Sequence, residues 1–265
     1  MIQLISLDLD GTLLDPAGAV TPGAKAAIAK ARAAGVRVVL NTGRPIPEAF
    51  WFVQESGCDS LVCALGGGTL ADSAAGRVIR RWDIPEESGR KALELCLGKE
   101  IELMIFAGDQ ILLDPFSKES LLKSYPFTAF HSNAVVTEDP LDYMAQHGLP
   151  LTKIHGDQNP GHYPLHELSQ LPGVQLTSSN DHDFELVAAG VDKGRSLALL
   201  SMMYGIPLSN CAAVGDSEND LAMLRAVGTP IAMGNAAPAI KEAACRIVAS
   251  NGEDGVAQAI LSCLD

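Results

Sequence analysis

Short apolar runs alternate with longer amphipathic stretches in the first part of the chain. Residues 2–7, 36–40 and 60–65 are apolar runs of strand length. Runs that are apolar throughout are typical of strands buried on both faces, as in a parallel sheet. The stretches between them, 24–34 and 48–56, have helical composition. The pattern therefore predicts strand–helix–strand units with parallel strands.

The pattern changes near residue 83 and returns near residue 188. The intervening region has short strand-like and helix-like segments in irregular order. Predicted strands are 102–106, 110–113, 151–154, 175–178 and 184–187, and predicted helices are 86–97, 141–147 and 163–170. This mixture of short strands and helices is typical of an α+β module inserted into another fold.

Apolar runs at 211–214, 229–233 and 246–249, each followed by a helical stretch, resume the opening pattern. The predicted fold class is α/β, with a doubly wound, Rossmann-like parallel-sheet core and an inserted α+β domain. Residues 1–82 and 188–265 form the predicted core, and residues 83–187 form the insertion.

Composition narrows the classes of partner. The 265 residues have a formal net charge of −13, which argues against nucleic acid or an anionic membrane as a partner. No apolar segment reaches the roughly 18 residues that span a membrane. The six cysteines are scattered without a Cys-x-x-Cys pair, so we expect reduced thiols in a cytoplasmic protein.

Polar residues follow three of the predicted strands. Asp8 and Asp10 follow the first strand, Thr42 and Gly43 the second, and Asp216 follows the run at 211–214. Since ligands of open α/β sheets bind at the carboxyl ends of strands, this edge is the predicted site. Carboxylates gathered there would repel each other by roughly 4 kcal/mol per close pair at an effective dielectric of 20. A bound cation would relieve that repulsion.

These motifs, in this order, resemble those of the haloacid dehalogenase-like (HAD) phosphohydrolase superfamily. They are Asp8-x-Asp10-Gly11-Thr12-Leu13, Asn41-Thr42-Gly43-Arg44, Lys193, and Gly215-Asp216-x-x-Asn219-Asp220. The length of the insertion, the Lys-Gly pair directly after it and the closing residues 251–256 are similar to the Cof-like, type IIB sugar-phosphate phosphatases. In that group the insertion is a cap that selects the substrate. Residues 66–68 are three glycines where relatives have Asn-Gly, and here they predict only a tight turn.

The resemblance implies a role for each acidic residue. Asp8 would be the nucleophile that forms an aspartyl-phosphate, and Asp10 the general acid and base. Asp8, Asp10 and Asp216 would bind Mg²⁺, Asp10 through its backbone carbonyl. Asp220 would hold ligands or waters without binding the metal directly. Aspartate at position 10 favours a phosphatase or mutase over the P-type ATPases, which have threonine there.

The resemblance also implies how phosphate would be bound. Lys193 would supply charge, and the hydroxyl of Thr42, the N–H of Gly43, the backbone near Leu9 and the amide of Asn219 would donate hydrogen bonds. Arg44 would reach substrate or cap, or would make a structural ion pair. The expected substrate is a small phosphate ester such as a sugar phosphate.

Candidates for substrate selection in the insertion are polar, and for each of them an exposed loop position is favoured over a role as a ligand. They are His131, His155, Asp157, Asn180, His182, Asp183 and Glu185. Two other functions remain open: a phosphomutase similar to phosphomannomutase, and a phosphorylatable regulatory domain resembling response-regulator receivers. The insertion and Asp10 argue against the regulatory domain.

Overall fold

The computed structural model describes residues 1–178 and 182–264. The chain divides into two compact units, one of residues 1–80 and 192–265, the other of residues 81–191. The role of the second unit as a cap stays a prediction. Asn180, one of its predicted substrate-selecting residues, lies outside the described residues.

The first unit contains an eight-stranded sheet, which confirms the predicted α/β fold class. Its strands are β1 (Leu4–Leu7), β2 (Arg37–Asn41), β3 (Leu61–Ala64), β4 (Thr69–Asp72), β5 (Arg77–Arg81), β12 (Cys211–Gly215), β13 (Thr229–Ala232) and β14 (Arg246–Ile247). The strand order is β14-β13-β12-β1-β2-β3-β4-β5, and the six strands from β14 to β3 are parallel.

Helices precede, connect or follow the parallel strands of this sheet along the chain. They are α1 (Pro22–Ala33), α2 (Ile46–Ser56), α8 (Lys193–Met203), α9 (Leu221–Ala226), α10 (Pro238–Ala243) and α11 (Gly255–Leu261). Helix α1 begins as its sequence indicates, because Thr21 Oγ1 accepts the N–H of Ala24 at 3.0 Å and Pro22 occupies the first helical position.

Strand β1 lies in the middle of the sheet and determines where the site forms. It pairs in parallel with β2 on one side and β12 on the other, so Leu7 lies opposite both Leu40 and Val214. All four β1 residues are buried. The chain order reverses on either side of β1, and the loops that follow β1, β2 and β12 therefore meet at one edge.

The second unit is built on a six-stranded sheet. Its strands are β6 (Glu102–Ala107), β7 (Gln110–Leu113), β8 (Ala134–Val136), β9 (Leu151–Asp157), β10 (Val174–Thr177) and β11 (Phe184–Ala188). The strand order is β10-β11-β9-β6-β7-β8, and the pairings are antiparallel except for β7 with β8. Its helices are α3 (Glu86–Cys96), α4 (Pro115–Ser124), α5 (Thr128–Asn133), α6 (Pro140–His147) and α7 (Leu165–Ser169).

Alternation along these strands separates an apolar face from a polar one. Ile105, Ile154 and Leu186 are fully buried in the apolar core of this unit. Their neighbours His155 and Glu185, which pair across β9 and β11, lie on the opposite face. The second unit is thus an α+β fold with one face of its sheet rich in ionisable groups.

Three elements of the second unit were missed from sequence: α4, α5 and β8. Helix α4 has a recognisable start, since Asp114 Oδ1 accepts the N–H of Ser117 at 2.6 Å and Pro115 is its first residue. Its apolar residues do not repeat clearly at helical spacing, and β8 has only three residues. Such short elements depend on tertiary packing more than on their own pattern.

In the described part of the chain, no helix combines the length and apolar character needed to cross a membrane. The six cysteines are all free thiols, and only Cys245 is exposed.

Candidate active site

A buried lysine joins two aspartates at the carboxyl edge of the first sheet. Lys193 Nζ donates to Asp8 Oδ1 and to Asp220 Oδ1, each at 2.6 Å. Asp8 is 4% exposed, Lys193 1% and Asp220 0%. Because a buried charge without a partner is strongly destabilising, each of these groups depends on the other two.

The backbone at the start of α8 fixes the position of Lys193. Asn41, the last residue of β2, donates its side-chain N–H to the Lys193 carbonyl at 2.9 Å. Gly67 has φ +97°, and a Cβ there would lie 2.2 Å from the Asp192 carbonyl oxygen. Residues 66–68, which the sequence predicts only to form a tight turn, therefore also pack against the N-terminus of α8.

Asp220 accepts hydrogen bonds at both of its carboxylate oxygens and organises the loop after β12. Its Oδ2 accepts the N–H of Asp216 at 2.9 Å and the N–H of Ser217 at 3.1 Å, while Oδ1 accepts from Lys193. This arrangement makes Asp220 a structural anchor for Asp216, which is only partly buried.

Asp216 also contacts the loop that follows β1. The Thr12 hydroxyl donates to Asp216 Oδ1 at 2.9 Å. Gly11 has φ +77°, and a Cβ at that position would lie 2.4 Å from Asp216 Oδ2. Only glycine allows the two loops to approach this closely without a shift in Asp216.

Two asparagines that the sequence analysis did not single out as site residues brace the same loop. Asn235 Nδ2 donates to the Gly11 carbonyl at 2.8 Å, and its Oδ1 accepts the N–H of Asn251 at 3.0 Å. Asn251 Nδ2 donates to the Leu14 carbonyl at 2.8 Å. For Asn235 the only sequence signal was a polar residue after a predicted strand, which many turns share, whereas Asn251 opens the closing residues 251–256 and had no role assigned.

Burial and neighbouring charges raise the pKa of two of these aspartates, Asp8 and Asp216. Burial and the nearby carboxylate of Asp220 raise the pKa of Asp8 well above its usual value, although Lys193 acts in the opposite direction. Burial and Asp220 also raise the pKa of Asp216, to about 6. Burial alone would lower the pKa of Lys193, but Asp220 and Asp8 outweigh it and hold that pKa above its usual value.

These groups fit a metal ion. Asp8, Asp216 and Asp220 each offer an oxygen within 4.8 Å of the others. Lys193 supplies one positive charge against three carboxylates, so the cluster keeps an excess of negative charge. Asp220 is fully buried and already accepts from Lys193 and from the N–H groups of Asp216 and Ser217, so Asp8 and Asp216 are the carboxylates with more capacity for a cation.

Asp10 lies on the loop after β1, close in sequence to Asp8, but it pairs with Arg44 and not with Lys193. Arg44 Nε donates to Asp10 Oδ2 at 2.9 Å, and a terminal nitrogen of Arg44 donates to Asp10 Oδ1 at 2.6 Å. Arg44 also pairs with Glu48 at 2.8 Å. An ion pair was one of the two roles expected for Arg44, and a contact with substrate or cap stays a prediction.

Residues 5–260 match the family of haloacid dehalogenase-like hydrolases. The chain is 31% identical to a Bacillus subtilis 5-amino-6-(5-phospho-D-ribitylamino)uracil phosphatase, YwtE, over 97% of this chain and 96% of that protein. It is 29% identical to the Escherichia coli pyridoxal phosphate phosphatase YbhA, over 98% of each. A haloacid dehalogenase-like hydrolase structure from B. subtilis matches with a TM-score of 0.86 at 26% identity, over 98% of this chain and 99% of that one.

The chain belongs to the haloacid dehalogenase-like hydrolases. The predicted family membership is confirmed, and the chain is a phosphatase of this HAD family.

The remaining predicted phosphate-binding residues of this HAD phosphatase lie in the loops around Asp8. Leu9 and Thr42 are fully buried, and the Thr42 hydroxyl oxygen accepts the N–H of Arg44 at 3.1 Å. Gly43 follows Thr42 in the loop after β2 and is partly buried. Asn219, after β12, is also partly buried, and its Oδ1 accepts from Ser217 at 3.0 Å.

The second unit of the HAD phosphatase gathers several of its predicted substrate-selecting residues. Asp183 and Glu185 are buried, so an exposed loop position is wrong for both. His155 lies between them, with its Nε2 3.6 Å from Asp183 and its Nδ1 3.7 Å from Glu185. Lys153 Nζ donates to Glu185 Oε1 at 2.5 Å. Strand pairing places His155 and Glu185 on the same face of the sheet, where Glu185 is buried and His155 is partly buried.

Three other candidates of the second unit, His131, His182 and Asp157, have hydrogen-bond partners outside this group. His131 contacts Lys118 Nζ at 3.1 Å and the Tyr125 carbonyl at 2.8 Å. His182 is exposed, and its carbonyl accepts the Tyr163 hydroxyl at 2.6 Å. Asp157, at the end of β9, is partly buried and accepts the N–H of Gln158.

We expect Gly67→Ala to lower the free energy of unfolding by about 2 kcal/mol or more, because the methyl group would strike the Asp192 carbonyl at a positive φ. We also expect it to reduce phosphatase activity by displacing Lys193. Urea unfolding and steady-state assays measure the two effects. Gly57→Ala is the matched control, since Gly57 has φ +76° but open space around its Cα. Equal behaviour of the two variants would contradict the packing argument.

The raised pKa of Asp216 predicts how the metal-free protein responds to pH. The folded state binds this proton more tightly than the unfolded state, so the resulting stability is fully present below pH 3.8 and is lost as the pH rises to about 6. In a chelating buffer, the melting temperature should therefore fall with rising pH more steeply in the wild type than in Asp216→Asn. Parallel pH profiles for the two proteins would contradict the shift.

Proposed function

We propose that the chain is a Mg²⁺-dependent phosphomonoester hydrolase that acts on sugar phosphates or similar small phosphorylated metabolites through an aspartyl-phosphate on Asp8. The observation that carries this proposal is the buried Asp8 carboxylate at the end of β1, with one oxygen held by Lys193 at 2.6 Å. A carboxylate fixed in this way has one oxygen in a defined place and the other left for attack on phosphorus.

Lys193 has two functions in this proposal. It orients Asp8, and its ammonium lies where the negative charge of a phosphoryl group would need neutralising. Because Lys193 is also paired with Asp220, its position does not depend on substrate. The charge is therefore in place before the phosphate arrives.

Asp8 and Asp216 would hold the metal, together with the Asp10 carbonyl. Asp220 would keep Asp216 in position by accepting the backbone N–H of Asp216. When bound, Mg²⁺ would neutralise the excess carboxylate charge and part of the phosphate charge. Oxygen-only ligands suit Mg²⁺ better than softer metals.

The remaining groups would complete phosphate binding and proton transfer. The hydroxyl of Thr42, the N–H groups near Leu9 and Gly43, and the Asn219 amide would donate to phosphate oxygens. Asp10 would protonate the leaving oxygen and then take a proton from the water that hydrolyses the aspartyl-phosphate, so that each cycle returns Asp8 as a carboxylate.

The substrate class is supported by the relatives. One is named for a ribityl phosphate linked to a uracil, and another for pyridoxal phosphate. Both substrates are phosphate monoesters of small polar molecules. Sugar phosphates and phosphorylated heterocycles are therefore the compounds to test first.

We expect Asp8→Asn to lower Mg²⁺-dependent phosphate release by roughly 10³-fold or more while the protein stays folded, because the amide is not a nucleophile. The measurement is inorganic phosphate released from a panel of sugar phosphates and pyridoxal phosphate, with Mg²⁺ or with a chelator. Asp109→Asn is the control, since Asp109 is 73% exposed in a surface ion pair.

Normal turnover by Asp8→Asn would show that Asp8 is not the nucleophile. Full activity of the wild type in the chelator would show that the reaction does not depend on a metal ion. Retention of the phosphate on a bisphosphate product, without release, would indicate a phosphomutase instead.

A further inference from the structure

Arg44 donates hydrogen bonds to both oxygens of the Asp10 carboxylate. Its Nε and one terminal nitrogen donate to Oδ2 and Oδ1 at 2.9 and 2.6 Å. This two-point contact fixes both the position and the plane of the carboxylate, which a single hydrogen bond would not do. The Asp10 side chain is 56% exposed, so its orientation is not set by burial.

Helix α2 holds Arg44 in turn. The second terminal nitrogen of Arg44 contacts Glu48 Oε2 at 2.8 Å, and the Glu48 side chain is fully buried. The Arg44 guanidinium also lies over the ring of Phe52, 5.1 Å from its centre. Glu48 and Phe52 are one helical turn apart on α2, so both contacts come from the same face of a rigid element.

The Arg44 backbone is fixed as well. Its N–H donates to the Thr42 hydroxyl oxygen at 3.1 Å, and its carbonyl accepts the N–H of Leu65 at 3.0 Å. Exposed ion pairs usually contribute little, because two flexible side chains must be ordered together. Here Arg44 is ordered by its backbone, by a buried carboxylate and by an aromatic ring, and only Asp10 remains to be oriented.

We propose that Arg44 is a positioning residue for Asp10, and that Glu48 acts through Arg44, so that α2 sets the direction of the acid/base carboxylate. This inference rests on the proposed function of Asp10. Neither Arg44 nor Glu48 needs to touch the substrate for the effect. A displacement of about 1 Å in a catalytic group costs roughly 10²-fold in rate, which sets the expected scale.

A misplaced Asp10 should matter most when the leaving group needs a proton. Nitrophenolate leaves readily without one, whereas phenolate is a poorer leaving group and depends more on the acid. The ratio of kcat/KM for phenyl phosphate to that for p-nitrophenyl phosphate therefore reports on Asp10, because kcat/KM covers the steps through departure of the alcohol. General structural damage would lower both values by the same factor.

The experiment compares Arg44→Lys and Glu48→Gln with wild type and with Asp10→Asn on both substrates. Arg44→Lys keeps the charge and removes the two-point contact, and Glu48→Gln keeps the shape and removes the charge. Glu55→Gln on the same helix is the control, since Glu55 is 41% exposed and pairs with Lys25. Circular dichroism and melting temperature establish that each variant is folded.

We expect Arg44→Lys to lower kcat/KM for phenyl phosphate by roughly 10²-fold, with a clearly smaller loss for p-nitrophenyl phosphate. Glu48→Gln should change the ratio of the two values in the same direction, as should Asp10→Asn, while Glu55→Gln leaves it unchanged. Should Glu48→Gln fail to fold, the leaving-group dependence of Arg44→Lys decides the matter.

An equal loss on both substrates, or no loss, in folded Arg44→Lys would overturn the positioning role while leaving the proposed function intact. A wild type that releases no phosphate from either substrate with Mg²⁺ would overturn the proposed function, and this inference with it.

Discussion

One ammonium shared between two buried carboxylates underlies the site. Lys193 contacts Asp8 from the loop after β1 and Asp220 from the loop after β12, both at 2.6 Å. These residues come from distant parts of the sequence, and the contact unites them across the centre of the sheet. Without the ammonium, Asp8 and Asp220 would be two buried charges without a counterion, a state that costs several kcal/mol. The same contact that stabilises the fold therefore also holds the proposed nucleophile in place.

The rest of the edge follows from that contact. Asp220 positions Asp216 by accepting its backbone N–H, and the Thr12 hydroxyl donates to Asp216 from the loop after β1. Gly11 permits the close approach of those loops, and Asn235, which follows β13, donates to the Gly11 carbonyl. Burial raises the pKa of Asp8 and of Asp216, and the carboxylate of Asp220 raises both further. A divalent cation would reverse the effect on both groups.

Periodicity and strand ends predicted the core sheet and the meeting of Asp8 and Asp216, because parallel strands bring their carboxyl ends to one edge. Burial of Asp183 and Glu185 was not predictable, since it depends on packing against residues distant in the chain. Helix α4 had only its capping residues as a signal. The functions of Gly67 and Asn235 were equally hidden, because a glycine turn and an asparagine after a strand have many local uses. Arg44 was recognised as a candidate, but its partners became evident only from the fold.

The most direct test of the account locates the phosphate on the enzyme during turnover. Asp10→Asn would be mixed with p-nitrophenyl phosphate and Mg²⁺, quenched in acid, digested and mapped by mass spectrometry, because loss of the base should prolong the aspartyl-phosphate. The account predicts phosphate on the peptide that contains Asp8, and none when Asp8 is also changed to Asn. Phosphate on any other residue, or rapid turnover by the double variant, would contradict the claim that Asp8, held by Lys193, attacks phosphorus.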